Sequence, residues 1–176
     1  MVAVGHLDGT PLGTIWAAAS ETGIVAISLW DDGERFAADV LRLTGELPQP
    51  WDAADGPASR LVATALAQLD EYLRGERRMF DVPLDWSTVK PFQRAALEQV
   101  CTVGYGQTDT YLGIANRLGR PGAVRAVGQA NANNPLPIII PCHRILGTDG
   151  KLHGYGARGG LETKAWLLRL EGSWLL

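Results

Sequence analysis

Cys142 and His143 stand side by side in "LPIIIPCHRI" (136–145), after a run in which every residue from Leu136 to Ile140 is bulky and apolar or proline. A cysteine is a nucleophile only as its thiolate, and apolar surroundings oppose that charge, so chemistry here requires a neighbouring base to take the proton. Successive residues of an extended strand point to opposite faces, which would part the two side chains. Pro141 offers a bend that would turn both toward one cavity. On the residues alone two readings stay open: an activated cysteine, or a core cysteine beside a surface histidine. Two cysteines and three histidines show no paired ligand spacing, so no zinc site is expected.

The elements that would position the pair follow from pattern and punctuation. "GTIWAAAS" and "IVAISLW" flank "ETG" and read as a hairpin. "GERFAADVLRLTG" has helical spacing through Phe36, Val40 and Leu43 and stops at Gly45; "ASRLVATALAQLDEYLRGE" puts Leu61, Leu66, Leu69 and Tyr72 on one helical face and stops at Gly75. "ELPQPWDAADGP" between them reads as a loop, and "MFDVPLDW" as a strand that Pro83 demotes toward an edge. Strands with intervening helices indicate a small α/β module. Beyond it, Ser87 or Thr88 is placed to cap a helix carrying Phe92, Ala96, Leu97 and Val100, and "GYGQTD" is a turn. "TYLGIANRLG" and "RPGAVRAVGQANANN", the second with Pro121 near a helix start, read as a helix-turn-helix. "LGTDGKLHGYGARGG" reads as a glycine-rich loop or hairpin wing, and "LETKAWLLRLEG" as a closing helix with Trp166, Leu167 and Leu170 inward. The domains expected are 1–86 and 87–176.

Net charge is −3, which by itself argues against a polyanionic partner. The halves differ, however. Residues 1–89 hold 6 Lys/Arg against 14 Asp/Glu, and residues 90–176 hold 10 against 5, so an acidic module precedes a basic one. Two cysteines make no disulfide framework, no apolar run is long enough to span a bilayer, and "MVAVGHLDGTPLG" lacks the pattern of a signal peptide. A reducing cytoplasm is the expected setting.

In order along the chain, "TPLGTIWAAASETGIVAISL", "QLDEYLRGERRMFDVPLDW", "FQRAALEQV", "TYLGIANRLG", "AVRAVGQANANNPLPIIIPCHRI" and "GYGARGGLETKAWLLRLEG" resemble the O6-alkylguanine-DNA alkyltransferases, the methylated-DNA–protein-cysteine methyltransferases. Nearly the whole chain is covered, and PCHR with its preceding Asn-Pro is the most specific part. The resemblance implies a ribonuclease H-like α/β N-terminal domain and a mainly α C-terminal domain with a helix-turn-helix/winged-helix motif. It implies stoichiometric, irreversible transfer of the alkyl group of O6-alkylguanine in duplex DNA to Cys142, with O4-alkylthymine as a further candidate substrate and no cofactor. It implies a chain acting as a monomer, with no obligate protein partner and no membrane.

Residue by residue, the resemblance makes Cys142 the acceptor and His143 the base that draws off its proton through a water. Glu171 orients that histidine, and Asn134 is the hinge residue that bonds the backbone, giving a relay of the triad kind. Tyr111 matches the hydroxyl near guanine N3, Tyr155 the residue packed over the base, and Pro137 the proline of the alkyl pocket. The backbone at Cys142, Ile145 and Gly156 matches the groups that bind the flipped base. Arg125 matches the finger that fills the vacated stack, with Val124, Ala126, Gly128 and Ala130 lining a helix that enters the minor groove.

This chain departs from the family pattern at Ala95–Leu97, Gly104 and Val124, which bears on substrate range and affinity rather than on the relay. Competing readings are a non-catalytic lesion binder of the alkyltransferase-like type, a transcriptional regulator and a cysteine hydrolase. The first carries tryptophan where Cys142 stands. His6 and His153 are expected at the surface, and Cys101 is expected to be a packed, inert thiol.

Overall fold

A computed structural model describes residues 1–30, 32–53, 55–157 and 159–173. The chain forms two compact units, Met1–Thr88 and Val89–Leu176.

In the first unit β1 (Ala3–Thr10), β2 (Gly13–Ala19) and β3 (Ile24–Leu29) form an antiparallel meander, and β4 (Gln49–Pro50) pairs parallel with β1, giving the order β3-β2-β1-β4. Helix α1 (Gly33–Thr44) covers one face through Phe36 and Val40, which pack with Val2, Ala18 and Val25. Helix α2 (Pro57–Leu73) covers the other: Gly5 leaves room on that side for Trp51 and Val62. With both faces covered, β2 and β3 are apolar almost throughout. Asp32 caps α1, accepting from Arg35 N at 2.7 Å, and Gly45 ends it at φ 75°.

Several expectations need correction in this unit. β1 belongs to the sheet although "AVGHLDGT" alternates poorly, and β4 forms inside the proline-rich segment read as a loop. "MFDVPLDW" is not a strand: it makes a single bridge, Leu84 to Ile24, with hydrogen bonds from Ile24 N to Pro83 O and from Asp85 N to Ile24 O. Leu43 is exposed and Leu61 half-buried, while Leu66, Leu69 and Tyr72 are buried as the helical spacing predicts.

In the second unit α3 (Pro91–Val100) starts later than expected. Lys90 is its N-cap and Pro91 its first residue, and no side chain caps it, so neither Ser87 nor Thr88 has that role. Ala96, Leu97 and Val100 are its buried stripe. Helix α4 (Tyr111–Arg117) is capped by Thr110 Oγ1, which accepts from Gly113 N at 2.9 Å. A 3-10 turn at Pro121–Ala123 leads into α5 (Val124–Ala132). A two-residue parallel ladder joins β5 (Asp109–Thr110) to β6 (Ile145–Leu146), tying the head of α4 to the segment after Cys142.

No strand follows β6 among the described residues. Gly147–Lys151 is a turn closed by Gly147 N to Lys151 O, so the hairpin wing is not formed there. Helix α6 (Gly160–Leu170) buries Thr163, Lys164, Leu167 and Leu168, whereas Trp166 and Leu170 are only half-buried. The inward face is thus rotated from the expected one and carries a lysine.

Candidate active site

Leu136, Pro137, Ile138, Ile139 and Ile140 are all buried, and the chain then turns through a single 3-10 turn, Cys142–Arg144, entered from Pro141. The strand geometry that would separate Cys142 from His143 is therefore absent. Ile138 holds φ 73°, an uncommon conformation for a β-branched residue, and Ile140 N closes the turn onto Leu136 O at 2.8 Å. Such backbone costs on the order of 1–3 kcal/mol and persists where the surroundings enforce it.

Asn134 follows the end of α5 and ties this segment together. Its Oδ1 accepts from Leu136 N at 2.9 Å, and its Nδ2 donates to Ile140 O and to Cys142 Sγ, both at 3.1 Å. Cys142 is buried, and desolvation pushes its pKa up. The Asn134 bond, the charge of Lys164 and the Tyr155 hydroxyl act the other way.

His143 is fully buried, and its Nε2 lies 2.9 Å from Glu171 Oε1. Desolvation holds its pKa below the ordinary value, against the pull of Glu171. Glu171 is the C-cap of α6 and is equally buried. Its carboxylate is well satisfied: Arg144 donates from Nε at 2.9 Å and Nη2 at 2.8 Å, and Gly106 N donates at 3.3 Å. Arg144 Nη1 donates to Val103 O at 2.6 Å. A bidentate guanidinium fixes a carboxylate more firmly than a single bond does, so Arg144 sets the orientation of the group that orients His143. Both thiol and imidazole are thus favoured in their neutral forms, beside a carboxylate whose charge Arg144 balances.

Sequence reasoning missed Arg144 and Lys164. Lys164 is fully buried, with Nζ donating to Ile145 O at 2.6 Å, to His153 O at 3.0 Å and to Tyr111 Oη at 3.3 Å. Desolvation lowers its pKa to about 8. Tyr111 donates to His153 O at 3.2 Å, and desolvation followed by the charge of Cys142 pushes its pKa up to about 12. A lysine on the buried face of α6 was the available signal, and Arg144 was in view within the PCHR run itself.

Gly156 sits against the last turn of α5, where a Cβ would lie 1.8 Å from Ala132 O. Pro137 and Ile145 are buried beside the turn. On α5, Arg125 and Ala126 are exposed and Val124 and Gly128 half-buried, beside a groove of about 460 Å³ lined in part by Phe92, Gln129 and Ala126. Ala130, expected on the DNA-facing surface, is only 5 % exposed and offers little area to a duplex.

Three further expectations concern side chains outside this cluster. His6 is exposed and stacks on Trp16 at 4.5 Å, and His153 is exposed and paired with Asp149 at 3.0 Å. Cys101, at the end of α3, is exposed as a residue although its thiol is largely desolvated. Desolvation and Glu98 nevertheless raise its pKa to about 11, which keeps it a poor nucleophile at neutral pH.

Comparison with known proteins covers both units. Residues 6–86 match the 6-O-methylguanine DNA methyltransferase ribonuclease-like domain, and residues 91–173 match the DNA binding domain of the same family. A methylated-DNA–protein-cysteine methyltransferase of Mycolicibacterium paratuberculosis is 44% identical over 131 residues, 74% of this chain and 78% of that protein. One from Methanosarcina barkeri is 37% identical over 162 residues, 92% of each. A crystal structure of the Mycobacterium tuberculosis O6-methylguanine methyltransferase superposes with a TM-score of 0.76 at 35% identity, covering 100% of this chain and 96% of that one. The same organism's OGT in complex with DNA gives 0.77 at 35% identity, covering 97% and 93%. The chain belongs to the 6-O-methylguanine DNA methyltransferase family.

Proposed function

We propose that this protein repairs DNA by transferring the alkyl group of O6-alkylguanine, with O4-alkylthymine as a second substrate, to Cys142. The observation that carries the reading is the buried thiol held by Asn134 on one 3-10 turn with His143, itself held by Glu171 and Arg144. A neutral thiol in an apolar cage is protected from adventitious oxidation and needs a base only when substrate arrives.

In the step proposed, the thiol proton passes toward His143 through a water, and Glu171 stabilises the imidazolium that forms. The sulfur attacks the alkyl carbon in line. A C–S bond forms, the C–O6 bond breaks, and its electron pair stays on the guanine. The Tyr111 hydroxyl gives its proton to the guanine near N3, and the proton that sulfur lost to His143 returns through solvent to restore that hydroxyl, so one proton moves in total from sulfur to base. Pro137 borders the alkyl group, Tyr155 covers the base, and the backbone at Cys142, Ile145 and Gly156 binds its edge. No group restores the thiol, so each molecule acts once.

The lesion lies within a duplex and must be turned out, at a cost of a few kcal/mol. Arg125, exposed on α5, fills the space left behind, and Val124, Ala126, Gly128 and Ala130 belong to the helix that enters the minor groove. The basic balance of residues 90–176 suits a polyanion. We place the activity in a single chain acting alone in the cytoplasm, in keeping with its free cysteines; no helix among the described residues is long and apolar enough to cross a membrane.

The test is the intact mass of the protein after mixing with duplex DNA carrying O6-methylguanine. A methyl-sized gain that maps to Cys142, and that Cys142→Ser abolishes, is the expected result. An unchanged mass with retained DNA binding would mean a lesion-binding protein instead.

A further inference from the structure

Residues 147–157, between β6 and α6, form neither helix nor strand, and four of them are glycine, so the backbone keeps one shape only where side chains pin it. One main-chain atom of this segment nevertheless reaches the thiol site. The His153 carbonyl oxygen accepts from Tyr111 Oη at 3.2 Å and from Lys164 Nζ at 3.0 Å, which fills both of its lone pairs.

The His153 side chain supplies the pin. Its Nε2 lies 3.0 and 3.1 Å from the two carboxylate oxygens of Asp149. Asp149 is itself placed by the turn: its Oδ1 accepts from Lys151 N at 3.0 Å, and Gly147 N donates to Lys151 O at 3.1 Å. Both side chains fold back over Gly147, where a Cβ would collide with His153 Cδ2 and Nε2 and with Asp149 Oδ1. Gly147 directly follows β6, which pairs with β5 at the head of α4, next to Tyr111. A closed circuit of contacts therefore runs from Tyr111 through His153 and Asp149 and back to Tyr111.

We propose that His153 is a positioning residue for proton delivery: clasped by Asp149, it holds the carbonyl that keeps the Tyr111 hydroxyl in place until the base arrives. The hydroxyl then turns its proton from His153 O to guanine N3; the O–H bond breaks and an N–H bond forms. Lys164 Nζ, which donates to Tyr111 Oη at 3.3 Å as well as to the carbonyl, leaves neither oxygen without a donor during the exchange. The Asp149 and His153 side chains are each about half exposed, and such surface pairs add little to stability. The clasp should thus show in the rate and not in the melting temperature. The inference rests on the alkyl-transfer reading above, with Tyr111 as the proton donor.

Single-turnover transfer from duplex O6-methylguanine tests it, using His153→Ala in the wild-type and Tyr111→Phe backgrounds. In the wild-type background the alanine change should slow transfer by roughly 2- to 10-fold, the worth of one hydrogen bond, with unchanged melting. His153→Gln, whose amide reaches as far as Nε2, should recover most of the rate. In Tyr111→Phe, which has no hydroxyl to aim, the alanine change should cost nothing further. If Tyr111→Phe reacts too slowly to compare, a duplex carrying O6-methyl-3-deazaguanine, which has no N3 to protonate, makes the same comparison with the hydroxyl intact. An unchanged rate in His153→Ala, a glutamine variant as slow as the alanine one, or an undiminished loss without the hydroxyl or without N3 would each overturn the proposal. Absence of transfer from O6-methylguanine by wild type would instead bring down the alkyl-transfer reading, and this one with it.

Discussion

Buried polar side chains in Met1–Thr88 include Ser59 and Gln68; those in Val89–Leu176 include Asn131, His143, Arg144, Thr163, Lys164 and Glu171. The first unit is held by apolar area, with Gln68 serving locally as acceptor for Asp81 N at 2.8 Å. The second encloses a charged network in which one carboxylate meets a histidine and an arginine that are neighbours in the chain. An apolar interior loses stability in graded steps as methyl groups are removed. A polar network fails differently, because deleting one member strands its partners in a medium of low dielectric. The first arrangement supports a fold; the second holds reacting groups in one orientation at the expense of tolerance.

This contrast can be broken most directly at Glu171. Glu171→Gln keeps the shape but removes the charge that steadies His143, and single-turnover transfer should slow by roughly 10²–10⁴-fold, the usual worth of an acid–base group. An unchanged rate would dissolve the distinction between the units. Arg125→Ala comes next. Exposed and outside the network, it should slow transfer on duplex by the cost of extrusion, a few kcal/mol, and hardly at all on a free alkylguanine. Equal losses on both substrates would tie Arg125 to the buried network instead.

A smaller effect is set by pH. Folding raises the pKa of Cys142 and lowers that of His143. Below neutrality the imidazole therefore stays uncharged to a lower pH than a free histidine, and the thiol keeps its proton past pH 9, its ordinary value. Transfer to free alkylguanine should therefore stay level from pH 6 to 9, because a neutral thiol and a neutral imidazole exchange the proton between themselves, with no step near 6.5. Such a step would show an imidazolium at rest. The least effect on chemistry belongs to the first unit. Ile15→Val, at a fully buried position of β2, should cost roughly 0.5–1.5 kcal/mol in denaturant melts and leave the transfer rate unchanged.

The helices and the thiol turn were legible because their signals are local. Gly45 and Gly75 punctuate α1 and α2, Pro121 marks a helix start, and the PCHR run announces itself. What was not legible depends on partners distant in sequence. "AVGHLDGT" becomes a strand because β2 and β4 flank it, whereas "MFDVPLDW", with the better strand composition, finds one bridge. On α6, hydrophobicity alone turns Trp166 and Leu170 inward. The true face includes Lys164, since it meets the carbonyls of Ile145 and His153 rather than an apolar wall. Arg144 and Lys164 were in plain view, but their meaning lies in which atoms surround them.

Gly156 has a consequence for heredity. Every amino acid that a single-base change can substitute for glycine carries a Cβ, and at this position that atom would fall 1.8 Å from Ala132 O. Gly128 and Gly122 differ: a Cβ there meets nothing within 4 Å, and neither residue needs a left-handed backbone. Over generations, then, drift is closed at the wall of the thiol site and open along the helix-turn-helix. Single steps at Gly122 and Gly128 leave the backbone undisturbed, whereas every step at Gly156 must push Ala132 aside.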